Sequence, residues 1–249
     1  MMLEIDNLSK SFGGLKAVHE LSLRIDKNEI RALIGPNGAG KTTLFNLISG
    51  KLFPTGGRIL YEGKDITSRK PYEIYRMGIH RTFQTLSLYP KLTAFQSIQL
   101  ALLSANEKKY NFVTRANNLF HNEVLEILKT VQLDHKANVL SSSLSHGERR
   151  RLDLGIAITG KPRFLLLDEA ASGMAPNEAA ETMTLIIGLA RDLGLTVFFI
   201  EHDMSFVFGM AEKVSVMHYG SLIAEGSVGE IKDNKKVQQV YLGEGDLFE

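Results

Sequence analysis

A glycine-rich segment of this chain has the composition and spacing of a phosphate-binding loop. It fits the pattern G-x-x-x-x-G-K-[ST] over Gly35, Pro36, Asn37, Gly38, Ala39, Gly40, Lys41 and Thr42, and Thr43 follows it. In such a loop the glycines let backbone N–H groups surround phosphate oxygens, and the start of the next helix adds positive potential. The pattern predicts that Lys41 reaches the terminal phosphates of a nucleotide and that Thr42 offers its hydroxyl to Mg²⁺.

A second candidate element is an apolar run that ends in two acids, Phe164-Leu165-Leu166-Leu167-Asp168-Glu169. A strand of this kind places Asp168 at the carboxyl edge of a parallel sheet, beside the phosphate loop. There Asp168 can hold Mg²⁺, and Glu169 can orient or deprotonate an attacking water. Alone, the segment also fits an ordinary strand followed by a capped helix. Its pairing with the phosphate loop favours the catalytic interpretation.

Further segments, in the expected order along the chain, resemble the motifs of ABC ATPases. The segment Leu144-Ser145-His146-Gly147-Glu148 resembles the family's signature motif, usually written LSGGQ. The other matching positions are Phe12, where the family stacks an aromatic ring on adenine; Gln84, the Q-loop glutamine; Ser172-Gly173-Met174-Ala175, the D-loop; and His202, the switch histidine. This resemblance covers essentially the whole chain.

The resemblance implies an ATPase that uses ATP and Mg²⁺, with a role for each matching residue. The expected catalytic residues are Glu169, His202, Gln84 and Lys41. The expected nucleotide contacts are Phe12, the loop from Gly35 to Thr43, Ser145 and Gly147, and the expected Mg²⁺ ligands are Thr42, Gln84 and Asp168. In the family, Ser145 and Gly147 act on ATP held by another subunit, so the resemblance implies a homodimer, or a heterodimer with a second ABC ATPase.

A few positions depart from the family pattern. His146 replaces the first glycine of the signature and Glu148 its glutamine, Ala170 stands where proline usually follows the catalytic glutamate, and Ala175 stands where the D-loop often has aspartate. Ser145 and Gly147 keep the hydroxyl and the backbone N–H. The change at Ala175 puts in doubt a D-loop hydrogen bond across a dimer, but not nucleotide binding.

Single residues retain simpler interpretations. Phe12 could pack under a turn, and His202 taken alone fits a core histidine or a helix cap. The run Arg149-Arg150-Arg151 fits a solvated helix face, which an i, i+4 pair of Arg149 with Asp153 would support.

The order of strand-like and helical segments predicts an α/β fold with a mostly parallel sheet and flanking helices. The resemblance implies that this fold is a P-loop ABC ATPase core. Alternation over 2–7 and 17–25, broken at Gly13-Gly14, predicts an N-terminal antiparallel β-subdomain. Apolar runs at 30–34, 164–167 and 196–200 predict buried parallel strands. We expect one domain over residues 1–249, with an α-helical subdomain inserted at 85–160.

Helical spacing supports two of the expected helices. Val124, Leu125, Leu128 and Val131 fall at i, i+1, i+4 and i+7, which predicts one apolar helix face inside the inserted subdomain. Met183, Ile186, Ile187 and Ala190 repeat i, i+3, i+4 and i+7, which predicts a helix before the strand at 196–200.

Composition and charge exclude several classes of protein. There are 29 Lys and Arg against 28 Asp and Glu, a net charge of +1, which argues against a nucleic-acid partner. With no Cys there is no disulfide or thiolate chemistry. The apolar runs at 164–167 and 197–200 are too short to cross a bilayer, and the N-terminus lacks a basic and apolar leader. The absence of Cys fits a cytoplasmic protein. The resemblance to ABC transporter ATPases implies a peripheral position on the cytoplasmic face of the inner or plasma membrane.

Among ABC proteins, spacing favours a transporter ATPase. The interval between Lys41 and Ser145 lacks the heptads and length of the coiled-coil repair and chromosome ATPases, and one cassette is present where translation-type proteins carry two. The run Gly78-Ile79-His80-Arg81-Thr82-Phe83-Gln84 and the ending Tyr241-Leu242-Gly243-Glu244 are similar to importers of branched-chain and other hydrophobic amino acids, amides or urea. Leu-Gly-Glu endings and the Gly147-Glu148-Arg149-Arg150-Arg151 run also resemble the ATPase of lipopolysaccharide export. That exporter and a soluble non-transport ATPase remain the alternatives.

The implied partners are transmembrane permease subunits and, indirectly, a substrate-binding protein. The segment Thr85-Leu86-Ser87-Leu88-Tyr89-Pro90 is rich in apolar side chains. We expect Leu86, Leu88 and Tyr89 to line a groove that receives a short permease helix. Packing of this segment under the helical subdomain is the alternative.

Overall fold

The computed structural model describes residues 1–82, 89–105 and 119–241. Gln84, the segment 85–88 with Leu86 and Leu88, and the ending Leu242-Gly243-Glu244 lie outside the described residues. The chain divides into two compact units. One comprises 1–81, 163–169 and 189–249, and the other comprises 82–162 and 170–188. The inserted helical subdomain at 85–160 stays a prediction, since 106–118 also lie outside the described residues.

Strands and helices are numbered in chain order. The strands are β1 (Leu3–Phe12), β2 (Leu15–Ile25), β3 (Ile30–Ile34), β4 (Gly56–Tyr61), β5 (Lys64–Asp65), β6 (Ile79–Arg81), β7 (Phe164–Asp168), β8 (Thr196–Ile200), β9 (Lys213–His218) and β10 (Ser221–Gly226). The helices are α1 (Lys41–Ile48), α2 (Pro71–Arg76), α3 (Ala94–Ala105), α4 (His121–Thr130), α5 (His146–Thr159), α6 (Pro176–Asp192), α7 (Met204–Met210), α8 (Val228–Lys232) and α9 (Lys235–Tyr241). Within the described ranges, none of these helices has both the length and the apolar character needed to cross a lipid bilayer.

The first unit contains an antiparallel sheet in the order β2-β1-β4-β5, as the alternating segments predict. The turn between β1 and β2 includes Gly13, whose φ of +58° is a conformation that other residues rarely adopt. The predicted first strand at 2–7 is too short, because β1 continues to Phe12. Register shifts after Ile5 and after Leu8 interrupt the period-2 alternation, so the pattern fades before the strand ends.

The same unit contains a second sheet in the order β10-β9-β3-β8-β7-β6. Within the described part of this sheet, the pairs from β9 to β6 are parallel, and β10 pairs antiparallel with β9. Every residue of β3, β7 and β8 is buried. The continuous apolar runs therefore form the interior of a mostly parallel sheet, which confirms the predicted α/β class.

The register of three central strands brings their carboxyl ends to one edge of the sheet. Ile200 of β8 pairs with Leu33 of β3 on one side and with Asp168 of β7 on the other. The segments that leave these strands, beginning at Gly35, Glu169 and Glu201, consequently start from the same edge. Neighbouring strands lie about 4.8 Å apart, so groups from the three segments can meet in one cavity.

Helix α1 is held against the sheets by an apolar face. Leu44, Phe45, Leu47 and Ile48 are all buried in the main core of this unit. The Phe45 ring lies 5.1 Å from the Phe198 ring, centroid to centroid. Burying side chains of this size contributes about 1.5–3 kcal/mol each. The core thus fixes the helix that begins at the phosphate loop.

In the second unit, α3, α4 and α5 pack against one another. Val124, Leu128 and Val131 are fully buried, as their spacing predicts, but Leu125 is 37% exposed. A helix turns about 100° per residue, which places Leu125 at the edge of the apolar face. A Cβ added at Gly155 of α5 would lie 2.9 Å from Cδ1 of Ile98, so the helices approach closely there.

Candidate nucleotide-binding site

The loop between β3 and α1 needs glycine where other parts of the chain approach it. Gly40, just before α1, has a φ of +102°, and a Cβ there would lie 2.2 Å from the carbonyl oxygen of Ala17. At Gly35 a Cβ would lie 2.1 Å from the carbonyl oxygen of Met217. Both positions exclude side chains by backbone contact. This explains the spacing of the glycine pattern at these two positions.

The ammonium of Lys41 is folded over its own loop. The side chain is 7% exposed, and its Nζ donates to the carbonyl oxygens of Gly35 (2.5 Å) and Pro36 (3.1 Å). These two carbonyls hold the cation beside the loop amides. A phosphate oxygen is a stronger acceptor for an ammonium than a carbonyl oxygen.

A cavity of about 560 Å³ in the first unit collects most of the predicted nucleotide contacts. The predicted residues that line it are Phe12, Asn37, Gly38, Ala39, Gly40, Lys41, Thr42, Thr43, Glu169 and His202. The unpredicted residues that line it are Leu15, Lys16, Ala17 and Tyr219. Gly35 and Pro36 are absent from its lining and instead accept from Lys41. Residues separated by most of the chain therefore share one pocket.

Two exposed aromatic rings belong to this cavity. Phe12 is 47% exposed, so the interpretation that it packs under a turn is wrong. The Nζ of Lys10 lies 5.1 Å from the centroid of the Phe12 ring.

The second ring, Tyr219, is 82% exposed and lies in the turn between β9 and β10. The next residue, Gly220, donates its N–H to the carbonyl oxygen of Ala39 over 3.0 Å, which ties this turn to the phosphate loop. Sequence reasoning missed Tyr219, since a Tyr-Gly turn carries no motif.

Glu169 and His202 approach each other at the sheet edge. The Nε2 of His202 lies 3.2 Å from Oε1 of Glu169, with side chains 49% and 18% exposed. Glu169 has a φ of +52°, and its N–H donates to the carbonyl oxygen of Ile200 over 3.0 Å. Such backbone strain in a non-glycine residue is concentrated at functional sites. His202 is neither buried nor the cap of α7, which is Asp203.

Asp168 is the most buried acid of the site. It is 1% exposed, and its Oδ2 accepts from Nη2 of Arg81 over 2.5 Å. Arg81 is fixed in turn by α1, since its Nη1 donates to Oδ1 of Asn46 (2.7 Å) and to Oγ of Ser49 (3.2 Å). The pKa of Lys51 lies below its ordinary value because of burial and the nearby Arg81, although Asp168 raises it. In the sequence, Arg81 stands out only as part of the run that ends at Gln84.

The residues present fit a magnesium ion bound together with phosphates. Oδ1 of Asp168 is buried and has no hydrogen-bond partner within the part of the chain described. The described residues contain no group of three or more His, Asp or Glu side chains that could hold a metal alone. Mg²⁺ usually takes one or two carboxylates and completes its shell with water and phosphate oxygens. Asp168 and the hydroxyl of Thr42, which lines the cavity, suit that pattern.

The signature segment lies in the second unit, where it begins α5. Ser145 is the N-cap: its Oγ accepts from the N–H of Glu148 (3.2 Å), and Oε2 of Glu148 accepts from the N–H of Ser145 (2.9 Å). Burial raises the pKa of Glu148, but hydrogen bonds from Lys136 and from the Ser145 amide outweigh it and hold the pKa below 4.5. The acid that replaces the family's glutamine is therefore an ionised half of a capping box.

The arginine run of α5 is not a solvated face. Arg150 is 7% exposed and Asp153 is 8% exposed. Arg149 donates to the carbonyl oxygens of Leu144 (2.9 Å) and Ser142 (2.8 Å). Successive helical residues are rotated by about 100°, so the three arginines point in different directions, and Arg150 points inward. The predicted solvated face is therefore wrong.

Family models match two parts of the chain. The model described as "ABC transporter" matches residues 18–172, and the model described as "Branched-chain amino acid ATP-binding cassette transporter" matches residues 221–246. The first spans the phosphate loop, the signature segment and the acidic strand. The second covers β10, α8, α9 and the Tyr241-Leu242-Gly243-Glu244 ending.

Curated relatives are similar over nearly their full lengths. The chain is 36% identical to the high-affinity branched-chain amino acid transport ATP-binding protein BraF of Pseudomonas aeruginosa, over 98% of each chain. It is also 36% identical to LivG of Escherichia coli K12, a protein of the same description, again over 98% of each.

Solved structures agree with the fold. The ADP conformation of MJ1267, an ATP-binding cassette of an ABC transporter, matches with a TM-score of 0.86 and 30% identity, over 98% of this chain and 99% of that one. The dimeric bacterial ABC transporter cassette MJ0796 matches with a TM-score of 0.78 and 25% identity, over 91% of this chain and 99% of that one.

Proposed function

The chain belongs to the ABC transporter family as an ATP-binding protein, and from this premise we propose that it hydrolyses ATP to power an importer of branched-chain or other hydrophobic amino acids. One observation carries the proposal: the phosphate loop, Phe12, Glu169 and His202 share one cavity. The match of residues 221–246 and the BraF and LivG relatives favour the importer over lipopolysaccharide export and over a non-transport ATPase.

Binding of ATP uses the loop and one aromatic ring. The amides of 37–43 surround the phosphates, and Lys41 exchanges its carbonyl partners for the terminal phosphate oxygens. Phe12 stacks on the adenine base, with Lys10 beside its ring. The hydroxyl of Thr42 and the carboxylate of Asp168 would hold Mg²⁺, and the bound ion would neutralise developing phosphate charge.

Hydrolysis uses Glu169 and His202. The carboxylate of Glu169 orients a water and accepts its proton while the water oxygen bonds to the γ-phosphorus. The bond from the γ-phosphorus to the bridging oxygen breaks, and its electron pair stays on ADP. With a proton on Nε2, His202 donates to Oε1 of Glu169 and fixes the direction of that carboxylate. The expected part of Gln84 in catalysis and in metal binding remains part of this proposal.

The active form is a pair of cassettes. Ser145 and Gly147 bind the γ-phosphate of ATP held by the other subunit. Each complete ATP site therefore needs residues from two chains. The similar cassette MJ0796 is dimeric, which supports a pair, either of identical chains or with a second ABC ATPase. In the proposed pair, the side chain of Ala175 forms no D-loop hydrogen bond across the dimer, because it has no polar atom where many family members have an aspartate.

The pair acts on permease subunits at the cytoplasmic face of the membrane and, through them, on a substrate-binding protein. Tyr89 is 62% exposed, which suits the proposed groove for a permease helix. Leu86 and Leu88, the other proposed groove residues, lie outside the described residues. A large apolar ring in solvent is typical of an interaction site.

Co-expression with candidate permeases tests the function. The wild-type chain should purify with an amino-acid permease and hydrolyse ATP faster when that permease and its loaded binding protein are present. Lys41→Ala should still assemble but lose ATP binding, because the variant lacks the ammonium that is expected to pair with the phosphate oxygens. Unchanged affinity of Lys41→Ala for a fluorescent ATP analogue would contradict the assignment of the loop, and stimulation only by an exporter's membrane subunits would contradict the importer.

A further inference from the structure

The two signature residues proposed to contact a γ-phosphate already share an anionic acceptor within the second unit. The hydroxyl of Ser145 donates to Oε1 of Glu178 over 2.7 Å. The backbone N–H of Gly147 donates to the same oxygen over 3.2 Å. Glu178 lies in the first turn of α6, and no sequence motif singles it out. One carboxylate oxygen thus satisfies both donors.

The local structure of α5 aims these donors at Glu178. As N-cap, Ser145 accepts from the Glu148 amide through Oγ, which leaves its own proton free to point outward. Gly147 lies in the first turn, where backbone N–H groups have no partner inside the helix. A Cβ at Gly147 would lie 2.4 Å from the carboxyl carbon of Glu178, so only glycine lets the carboxylate approach this closely.

A carboxylate oxygen and a phosphate oxygen can accept hydrogen bonds from the same two donors. Both are anionic acceptors that form short, charge-assisted hydrogen bonds. They also repel each other, so they cannot share one pair of hydrogens. An oxygen of a γ-phosphate can bind Ser145 and Gly147 only after Glu178 has left them.

We propose that Glu178 is a positioning residue of the ATP-dependent step. Its carboxylate occupies the hydroxyl of Ser145 and the N–H of Gly147 in place of a γ-phosphate. ATP on a second subunit then displaces this carboxylate. This inference rests on the proposed pairing of cassettes around ATP. The contact raises the concentration of ATP-loaded subunit needed for pairing. ADP has no γ-phosphate oxygen with which to displace the carboxylate.

Release of Glu178 leaves α6 intact. An acidic side chain in the first turn of a helix is favoured by the helix dipole whether or not it has a partner. The half-buried side chain can therefore turn towards solvent while its backbone stays helical. Displacement needs a change of side-chain rotamer and no unfolding.

The test measures pairing in a protein that cannot turn over ATP, with Glu169→Gln as the parent. Glu178→Ala is compared with Glu181→Ala, which removes the same charge from an exposed position one turn further along α6. Sedimentation with ATP should give a dimer dissociation constant about tenfold lower for Glu178→Ala than for the parent, since the lost hydrogen bonds to a charged group are worth about that much. Glu181→Ala should match the parent.

Amide hydrogen exchange tests the contact without ATP. In the nucleotide-free monomer, Glu178→Ala should speed exchange at Gly147 about tenfold, and Glu181→Ala should not. Pairing by Glu178→Ala that equals or is weaker than that of Glu181→Ala would overturn the proposal, as would unchanged exchange at Gly147. A parent that stays monomeric with ATP would instead reject the proposed pairing of cassettes, and the proposal would fall with it.

Discussion

The Nε2 of His202 lies 3.2 Å from Oε1 of Glu169, although the two residues leave different strands of the sheet. The contact follows from register, because Ile200 of β8 pairs with Asp168 of β7, and the two side chains come one and two residues later. Glu169 reaches this position in a left-handed backbone conformation, with a φ of +52°. Glu169 is consequently held in the lining of the cavity that contains the phosphate loop.

Glu169→Gln should bind ATP but lower turnover by about 10²–10⁴-fold, because the amide keeps the shape of the side chain without its basicity. Steady-state phosphate release and ATP binding are measured on the same preparation. Glu20→Gln removes an acid whose side chain is 72% exposed and should behave as wild type. A Glu169→Gln rate within a few fold of wild type would remove Glu169 from the chemical step.

Phe12→Ala should weaken ATP binding by about 1–3 kcal/mol, the range for stacking of a base on an aromatic ring. Tyr219→Ala tests whether the second exposed ring of the cavity also contacts the nucleotide, and we expect a smaller loss, about 0.5–1 kcal/mol. Calorimetric titration with ATP gives both values. The control is Tyr72→Ala, since Tyr72 is 56% exposed on α2 and does not line the cavity. Equal affinities for Phe12→Ala and Tyr72→Ala would rule out stacking.

Arg81→Met should destabilise the protein by about 3–5 kcal/mol, because it leaves the buried carboxylate of Asp168 without its ion-pair partner. Urea unfolding measures the change. The matched control is Arg58→Met, whose pair with Asp6 is solvated, with side chains 60% and 42% exposed. Surface pairs of this kind contribute at most about 1 kcal/mol. Should the two variants lose the same stability, the Arg81–Asp168 pair does not support the site.

Glu148→Gln should lower the free energy of unfolding by about 1 kcal/mol near neutral pH. The neutral amide has no negative charge with which to form the ion pair with Lys136. The pKa of Glu148 in the folded state lies below its ordinary value of 4.5, which applies in the unfolded state. Its contribution to stability is therefore fully present at pH values above that ordinary pKa. That contribution is lost as pH falls through the folded-state pKa. The stability difference between wild type and variant should therefore shrink on acidification, as measured by urea unfolding across pH.

The control for this pH dependence is Glu181→Gln, an exposed acid in α6. Its effect should stay within about 0.5 kcal/mol at every pH. A Glu148→Gln difference that is constant with pH would contradict an ionised capping box at the signature segment.

Much of the nucleotide cavity could be predicted because its parts are local. The phosphate loop, the acidic strand and the histidine after β8 each depend on a few consecutive residues, whose backbone conformation follows from glycine and from apolar runs. The strand limits at 30–34 and 196–200 also followed from apolar runs alone. Alternation ended too early where bulges shift the register of β1, and it missed Leu15 and Lys16 at the start of β2. Helical spacing assigned Leu125 to the apolar face, although this residue lies at the edge of that face.

From the sequence alone we could predict candidate residues for binding phosphate, holding a cation and activating water. Which side chains surround these candidates depends on the tertiary structure. Arg81 reaches Asp168 from another strand, Tyr219 enters the cavity on a hairpin tied to Ala39, and Glu178 reaches Ser145 from another helix. These contacts join residues far apart in the chain, and no local pattern encodes them. They depend on strand register and helix packing, which bring side chains together through the buried core.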